Sequence, residues 1–278
     1  MMSSPDQTDL TDLPYHYASS TQVLELMREQ VTFQLSVDTD NLPQGLAAAE
    51  AAVAAGITIV EMGTPLIKFE GAKHVVAAFR ERFPDTLLLA DLKTMDGGAG
   101  EARVVFAGGG NVVDFLALAG VDTARAICKV RDEFRRSEPQ RPLLVFADIL
   151  LPHQGAHAGE VALEMLEAGV DGIVVHLQSD ARTAKPDLSR SAYLLDIVRA
   201  VQETVGQRAP VQAVGGITIE QAGTLARAGI LALVISANLG VTEETVGLSL
   251  PQAEIQQRLS YFMQQVRATR VGAAASQP

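Results

Sequence analysis

Residues 57–96 read ITIVEMGTPLIKFEGAKHVVAAFRERFPDTLLLADLKTMD. Two short apolar runs, 57–63 and 87–92, flank a stretch with helical periodicity from Gly71 to Phe83. Both runs are apolar at consecutive positions, which is typical of parallel strands that are buried on both faces of a sheet. The segment is therefore predicted to form a β-α-β unit, the repeating element of α/β folds.

The same alternation continues from residue 31 to about residue 236. Helical stretches end repeatedly at a glycine that is followed at once by a strand, as in AAG-ITIV and EAG-VDGIVV, and glycine readily takes the left-handed conformation that closes a helix. No G-x-G-x-x-G motif follows the first strand, which disfavours an open dinucleotide-binding sheet. Eight βα units predict a closed (β/α)8 TIM barrel. The predicted strands are FQLSVD (33–38), ITIVEMG (57–63), LLLADL (87–92), VVDFLAL (112–118), LLVFADIL (143–150), GIVVHL (172–177), VQAVG (211–215) and LALVIS (231–236).

The chain has 278 residues, which suits one barrel of about 250 residues. We expect a polar N-terminal arm over residues 1–30 and the catalytic barrel over residues 31–268. An amphipathic helix at about 251–267 would complete the outer ring of helices. The small-residue segment 269–278 is predicted to be a disordered tail.

Composition narrows the classes of partner. The formal net charge of −11 disfavours nucleic acid and anionic membranes, which bind clustered lysine and arginine. No apolar run is long enough to span a membrane, and the polar N-terminus does not resemble a secretory signal. Cys128 is the only cysteine, so no intrachain disulfide can form. We therefore expect a cytoplasmic protein that acts on a small molecule.

Charged residues gather at the C-terminal ends of the predicted strands, where TIM barrels carry their active sites. Any one of these residues could be structural, but packing does not explain six of them on one edge, because buried charge is costly unless it is paired. We therefore predict an active site at this edge. The six residues are Asp38, Glu61, Asp91, Lys93, Asp148 and His176.

The segment DLKTMD (91–96) carries the densest chemistry. Asp91 and Lys93 are two positions apart, so on an extended strand both would point into the barrel mouth. A lysine among carboxylates stays protonated and can stabilise an oxyanion. Asp91 and Glu61, on neighbouring strands, can supply oxygen ligands for Mg²⁺, and His176 is suited to moving protons.

Phosphate binding is predicted at the ends of the seventh and eighth strands, where TIM barrels often hold phosphate with backbone N–H groups. Gly215 and Gly216 follow the seventh strand and lead into a helix, although Gly-Gly pairs also occur in ordinary turns. Ser236 and Ala237 follow the eighth strand. These four residues are the predicted phosphate-binding set.

Across about residues 33–217 the chain resembles the orotidine-monophosphate decarboxylase suprafamily, and within it the hexulose-6-phosphate synthase branch more than the related 3-keto-gulonate-6-phosphate decarboxylases. The D-x-K-x-x-D element is the most specific motif, and GTPLIKFEG and DLKTMD favour the synthase branch. The resembling segments are QLSVDTD (34–40), VEMGTPLIKFEG (60–71), FPDTLLLADLKTMDGGAGEA (83–102), VFADIL (145–150), GIVVHLQSD (172–180) and VQAVGGI (211–217).

The resemblance implies a role for each matching residue. Glu61 and Asp91 would hold Mg²⁺, with Mn²⁺ as an alternative, and Lys93 would pair with an enediolate. Asp96 would reach into the active site of the other subunit of a homodimer. The remaining residues would move protons (His176), orient substrate hydroxyls (Asp38) and support the site (Asp148). The implied reaction is the addition of formaldehyde to ribulose 5-phosphate, or its reverse, through a metal-stabilised enediolate.

The sequence departs from the family pattern at three places on the active-site edge. Ser236-Ala237 stands where Gly-Gly or Gly-Arg is usual, Leu116-Ala117 where Leu-Gly is common, and Leu177-Gln178 where Thr-Gly or Ala-Gly follows the histidine. These departures leave two alternatives open. One is a decarboxylase or lyase of the same suprafamily that acts on another, unphosphorylated or larger, sugar acid or keto acid. The other is a non-catalytic binding barrel.

Overall fold

The computed structural model describes residues 19–190, 192–236, 238–239 and 248–274. Eight parallel strands pair in chain order, and the eighth closes onto the first. This closed sheet confirms the predicted (β/α)8 barrel, and all eight predicted strands are present with small shifts at their ends. The strands are β1 (Thr32–Val37), β2 (Ile59–Met62), β3 (Leu87–Asp91), β4 (Val112–Leu116), β5 (Leu144–Leu151), β6 (Gly172–Leu177), β7 (Val211–Val214) and β8 (Ala232–Ile235).

Helices follow the strands and surround the barrel. Asn41 and Thr218 accept hydrogen bonds from backbone N–H groups at the starts of the second and eleventh helices, as N-cap residues do. The helices are α1 (Ser20–Glu29), α2 (Leu42–Ala55), α3 (Thr64–Glu70), α4 (Ala72–Arg82), α5 (Gly98–Ala107), α6 (Gly120–Ser137), α7 (Ala158–Glu167), α8 (Ser179–Ala184), α9 (Asp187–Arg190), α10 (Tyr193–Val205), α11 (Ile219–Arg227) and α12 (Gln252–Ala274).

The inward-facing side chains change character along each strand. On β3, the buried Leu87 and Leu89 belong to the apolar cluster inside the barrel, whereas Asp91 lies at the C-terminal end of the strand. On β5, Phe146 belongs to the same cluster and Asp148 lies two residues further on. Successive inward positions are two residues apart. The N-terminal half of the barrel interior (its lower half) is therefore an apolar plug, and the C-terminal end of the strands (the upper end) is polar.

Helix α1 closes the N-terminal end of the barrel, although it falls within the predicted arm of residues 1–30. It begins with a capping box in which Ser19 and Gln22 satisfy each other's backbone N–H groups. Its buried Val23 and Met27 join the apolar cluster inside the barrel. Residues 20–29 are therefore part of the packed structure, while residues 1–18 lie outside the described chain.

Helix α12 runs to Ala274, beyond the predicted end of the barrel domain at residue 268. It packs against α2 and α11, as predicted for the last outer helix. Its extension into the predicted tail has a simple cause, since alanine has the highest helix propensity of the amino acids. Residues 275–278 lie outside the described chain. Among the described residues, no helix has the length and apolar character needed to cross a membrane.

The plugging role of α1 can be tested by truncating Met27, whose side chain is 1% exposed. We expect Met27→Ala to lower the free energy of unfolding by roughly 2–5 kcal/mol, because it leaves a cavity in the apolar plug. Chemical denaturation would measure the change. The exposed Glu25 of the same helix provides the control, and Glu25→Ala should change stability by less than about 0.5 kcal/mol. Equal, small effects of both variants would show that α1 is not part of the core.

Candidate active site

A cavity of about 440 Å³ opens at the C-terminal ends of the strands. The six charged residues predicted at the strand ends come from five different βα units, because Asp91 and Lys93 share one. All six line this cavity. Gly215, Gly216 and Ser236 of the predicted phosphate set line it too, while Ala237 lies outside the described residues. The predicted residues lining the cavity are Asp38, Glu61, Asp91, Lys93, Asp148, His176, Gly215, Gly216 and Ser236.

A larger cleft, of about 770 Å³, lies at the opposite end of the barrel, between the segments that enter β3, β4 and β5. Its most prominent polar side chain, Arg80, is already bound to the protein. The Arg80 guanidinium donates to the backbone oxygens of Gly109, Phe83 and Pro84 and to the side chain of Asn111. This arginine ties loops together, and the chemistry of the protein is concentrated at the smaller cavity.

Lys93 connects the two sides of the cavity. Its Nζ lies 2.7 and 2.8 Å from the two carboxylate oxygens of Asp91 and 2.7 Å from Oδ2 of Asp148. The expected reason for the Asp91–Lys93 pairing was wrong, because β3 ends at Asp91 and does not continue to Lys93. Lys93 has a left-handed backbone, with φ +47°, and this turn directs its side chain back over the strand end.

The charge state of this pair follows from its contacts. Burial alone would raise the pKa of Asp148, but the positive charges of Lys93 and His176 outweigh it and lower the pKa to about 2. Burial opposes the charge of Lys93, yet the carboxylates of Asp148, Asp91 and Asp114 raise its pKa well above the ordinary value. At neutral pH the site therefore holds a fixed ammonium and a fixed carboxylate.

His176 is oriented by the same carboxylate. Its Nδ1 lies 3.0 Å from Oδ2 of Asp148. An ionised carboxylate can only accept hydrogen bonds, so Nδ1 carries a proton and donates to Asp148. In the neutral ring Nε2 is then the unprotonated nitrogen, and it is free to exchange a proton with a ligand in the cavity.

Glu61 and Asp38 form a second acidic group at the ends of β1 and β2. The hydroxyl oxygen of Ser36 lies 2.6 Å from Glu61 and 3.1 Å from Asp38, so its single proton can be donated to either carboxyl group, and Gln34 donates to the other oxygen of Glu61. Burial, followed by the charges of Asp91 and Asp38, raises the pKa of Glu61 to about 8. Desolvation by the surrounding protein, followed by the charge of Asp91, also raises the pKa of Asp38.

The glycine of the GTPLI string makes room for this group. A side chain at Gly63 would overlap the carboxylate of Asp38 and the backbone oxygen of Val37. The next residue, Thr64, donates its hydroxyl to Asp91 at 2.8 Å. Gly63 therefore leaves space for the carboxylate of Asp38, and Thr64 holds the carboxylate of Asp91 with a hydrogen bond.

Asp114 is a site residue that the sequence analysis missed. It lies on β4 directly beside Asp91, is 4% exposed and lines the cavity. Its Oδ1 has no hydrogen-bond partner among the described residues. Burial, followed by the charges of Asp148 and Asp91, raises its pKa well above the ordinary value. A carboxylate inside the apolar run VVDFL was the available signal.

Asp96 is the one predicted residue of the acidic motif that does not line the cavity of its own chain. It is exposed, and its carboxylate accepts a hydrogen bond from the backbone N–H of Gly97 at 2.7 Å. Its neighbour Thr94 is buried and donates to Glu101, which fixes the loop to α5. Its predicted role in a partner's site stays a prediction.

Glu61 and Asp91 have the chemistry that a magnesium site requires. Both carboxylates face the cavity from adjacent strands, and each can accept more bonds than its protein donors use. Within the described ranges, no group of three or more His, Cys, Asp or Glu side chains is arranged to hold a metal. Mg²⁺ commonly binds one or two carboxylates and completes its shell with water and substrate oxygens, so this pair fits it.

Two curated relatives share part of the sequence. The 3-hexulose-6-phosphate synthase of Methylomonas aminofaciens is 30% identical over 151 residues, which cover 54% of this chain and 66% of that protein. The probable 3-keto-L-gulonate-6-phosphate decarboxylase of Haemophilus influenzae is 30% identical over 148 residues, which cover 53% and 64%. The matched segment thus spans slightly less than two thirds of either relative.

A solved structure shares the fold. KGPDC from Streptococcus mutans in complex with D-R5P superposes with a TM-score of 0.66 at 19% identity, over 86% of this chain and 98% of that one.

The model of the orotidine 5'-phosphate decarboxylase / HUMPS family matches residues 32–219, from β1 to the start of α11. This match covers more than half of the chain, and it includes the strand ends that form the cavity. The chain therefore belongs to the orotidine 5'-phosphate decarboxylase / HUMPS family.

Proposed function

We propose that this protein is a lyase of sugar phosphates, and specifically a Mg²⁺-dependent aldehyde lyase that joins formaldehyde to ribulose 5-phosphate or runs the reverse reaction. The observation that carries the proposal is the Lys93 ammonium, which is fixed between Asp91 and Asp148 at the mouth of the barrel. A fixed positive charge in a partly desolvated cavity stabilises the oxyanion of an enediolate without having to reorganise.

The chain's own residues provide for each proton and charge in this reaction. Nε2 of His176 takes the C1 proton of the substrate, and Lys93 stabilises the enediolate that remains. The enediolate carbon then attacks formaldehyde, which forms the new carbon–carbon bond and an alkoxide that takes up a proton. The carboxylate of Asp148 holds the side chains of Lys93 and His176 in position, and Asp38 at the cavity rim orients substrate hydroxyls.

Glu61 and Asp91 would hold the Mg²⁺ ion, with Mn²⁺ as an alternative. When bound, the ion supplies a Lewis acid that polarises the substrate oxygens. The lining of the cavity supports a cation, since among the described residues five carboxyl groups line it, and only Lys93 and Arg182 bring a fixed positive charge. The five are Asp38, Glu61, Asp91, Asp114 and Asp148.

The names of the relatives support a sugar phosphate as substrate. Both curated relatives are named for 6-phosphate sugars, and the Streptococcus mutans structure contains D-R5P. Gly215, Gly216 and Ser236 line the cavity where barrels often bind phosphate. The exposed Asp96 supports a homodimer in which this residue crosses to the partner's site, because an acidic side chain of the motif otherwise has no role at the cavity.

A second candidate is a decarboxylase of the same family, acting on a different sugar acid or keto acid. The likeness to the Haemophilus influenzae protein favours it. Leu177, which is buried against Gly215 where the family usually has Thr-Gly or Ala-Gly after the histidine, favours a changed substrate. Decarboxylation of a β-keto sugar acid would release carbon dioxide and leave an enediolate of the same kind beside Lys93, which a proton then quenches. The two reactions therefore differ in the electrophile and not in the charge that must be stabilised.

The two candidates separate in a direct assay. We expect the purified protein to consume formaldehyde with ribulose 5-phosphate in the presence of Mg²⁺, to stop when EDTA is added and to recover with excess Mg²⁺. Heat-treated protein provides the control for the uncatalysed reaction. Carbon dioxide release from 3-keto-L-gulonate 6-phosphate, without turnover of formaldehyde, would establish the decarboxylase instead. Activity that survives EDTA would contradict the metal assignment.

The negative charge of the cavity has a cost that can be measured at Asp114. Because its pKa is raised in the folded protein, ionisation above the ordinary value near 4 opposes folding. We expect Asp114→Asn to raise the free energy of unfolding of the EDTA-treated protein by about 1–3 kcal/mol at pH 8. The gain should shrink towards zero as the pH falls below 4, where the carboxyl is protonated in both states.

Asp122 provides the matched control, because its carboxylate is fully exposed at the start of α6. Asp122→Asn should change stability by less than about 0.5 kcal/mol at either pH. A loss of stability in Asp114→Asn at pH 8, or the same gain at pH 4 and pH 8, would contradict the assigned charge cost.

A further inference from the structure

Arg182 is a cation of the cavity to which neither the sequence nor the proposed reaction gives a role. It lies on the short helix α8, which follows His176 and β6, and its side chain lines the cavity. Its Nε is buried and has no hydrogen-bond partner among the described residues. Burial lowers the pKa of the Arg182 guanidinium, but an arginine side chain remains charged at neutral pH.

The guanidinium packs directly on the loop after β7. A side chain at Gly216 would overlap Nη1 of Arg182, so only glycine leaves room for this contact. Gly216 also has a left-handed backbone, with φ +66°, and its carbonyl oxygen accepts a hydrogen bond from the Asn238 side chain at 2.9 Å. Gly216 therefore forms the turn and also leaves space for the guanidinium of Arg182 to pack against the loop.

The basic side chains of the cavity differ in whether a carboxylate of the protein pairs with them. Lys93 is neutralised by Asp91 and Asp148, and His176 is bound to Asp148. Within the described chain, Arg182 has no such carboxylate partner. Its positive charge is thus not offset by a neighbouring carboxylate of the described residues, whereas the charge of Lys93 is offset by Asp91 and Asp148.

We propose that Arg182, together with the backbone of Gly215 and Gly216, forms the subsite that binds the phosphate monoester of the substrate. The inference rests on the proposed function for the identity of the ligand as a sugar phosphate. A guanidinium presents donors in a planar fork that matches phosphate oxygens. The positive charge of the subsite comes from helix α8, which follows β6, and compensates for the absence of an arginine or a second glycine pair in the Ser236-Ala237 segment after β8.

The subsite also constrains how the substrate lies. The phosphate would sit at the β6–β7 edge of the cavity, and the reacting carbonyl would extend towards Lys93 and the carboxylates of β2 and β3. A substrate without a phosphate would leave the buried Nε of Arg182 unpartnered, as it is in the free protein, and would not gain the energy of that contact. Arg182 is therefore a specificity-determining residue for phosphorylated ligands.

Binding measurements test the subsite without relying on turnover. Titration calorimetry would compare inorganic phosphate, ribulose 5-phosphate and unphosphorylated ribulose as probes of the wild-type protein, Arg182→Gln and Arg182→Lys. We expect Arg182→Gln to weaken both phosphate-containing probes by about 10- to 100-fold, as expected for the loss of a charge-assisted contact. Arg182→Lys should recover part of the loss, and binding of ribulose should not change.

Lys185 provides the matched control, because it is exposed three residues further along and does not line the cavity. Lys185→Gln makes the same change in charge and should leave all three affinities unchanged. Equal affinity of wild type and Arg182→Gln for both phosphate-containing probes would overturn the subsite, even if the enzyme turns over ribulose 5-phosphate. Arg182-dependent binding of inorganic phosphate, without any turnover of formaldehyde, would instead support the subsite and refute the proposed reaction.

Discussion

The site depends on one ammonium group that must be neutralised away from bulk water. A charge in this position is tolerated only when carboxylates surround it with good geometry. Lys93 satisfies this requirement by spanning from Asp91 on β3 to Asp148 on β5. The strand between them, β4, carries Asp114, so the ammonium lies near carboxyl groups of three adjacent strands. The carboxylates raise the pKa of Lys93, whereas burial, followed by the charges of Asp148 and Asp91, raises the pKa of Asp114.

The residues that stabilise the barrel and the residues that form the candidate active site lie at opposite ends of the barrel axis. Apolar side chains such as Leu89 and Phe146 fill the lower half, and helix α1 closes that end with Val23 and Met27. Carboxylates and their partners occupy the upper end, where they oppose one another and weaken the fold. The apolar plug is the part that can offset this cost. A cation and an anionic substrate, which the upper end is built to receive, would each relieve part of the repulsion.

Much of the fold and part of the site could be predicted from the sequence. Eight apolar runs predict eight strands because a parallel sheet buries both faces, and strand ends bring Glu61, Asp91 and His176 together because barrel strands all point the same way. Lys93 was expected to point into the barrel mouth from an extended strand, but a left-handed turn brings it there, and neither its residue type nor its spacing from Asp91 predicts that turn. Asp114 was missed because it lies inside an apolar run. Arg182 was missed because a helix turn after the strand carries it, and only the three-dimensional contact with Gly216 reveals its role.

Proton exchange at the substrate tests the central claim that Lys93 stabilises an enediolate. Ribulose 5-phosphate would be incubated with the protein and Mg²⁺ in D₂O without formaldehyde, and the C1 protons followed by proton NMR. We expect the wild-type protein to replace a C1 proton with deuterium, and Lys93→Ala to slow this exchange by about 100-fold or more, while Lys68→Ala, an exposed control on α3, exchanges at the wild-type rate. Absence of exchange by the wild-type protein, or equal exchange by Lys93→Ala, would contradict the account.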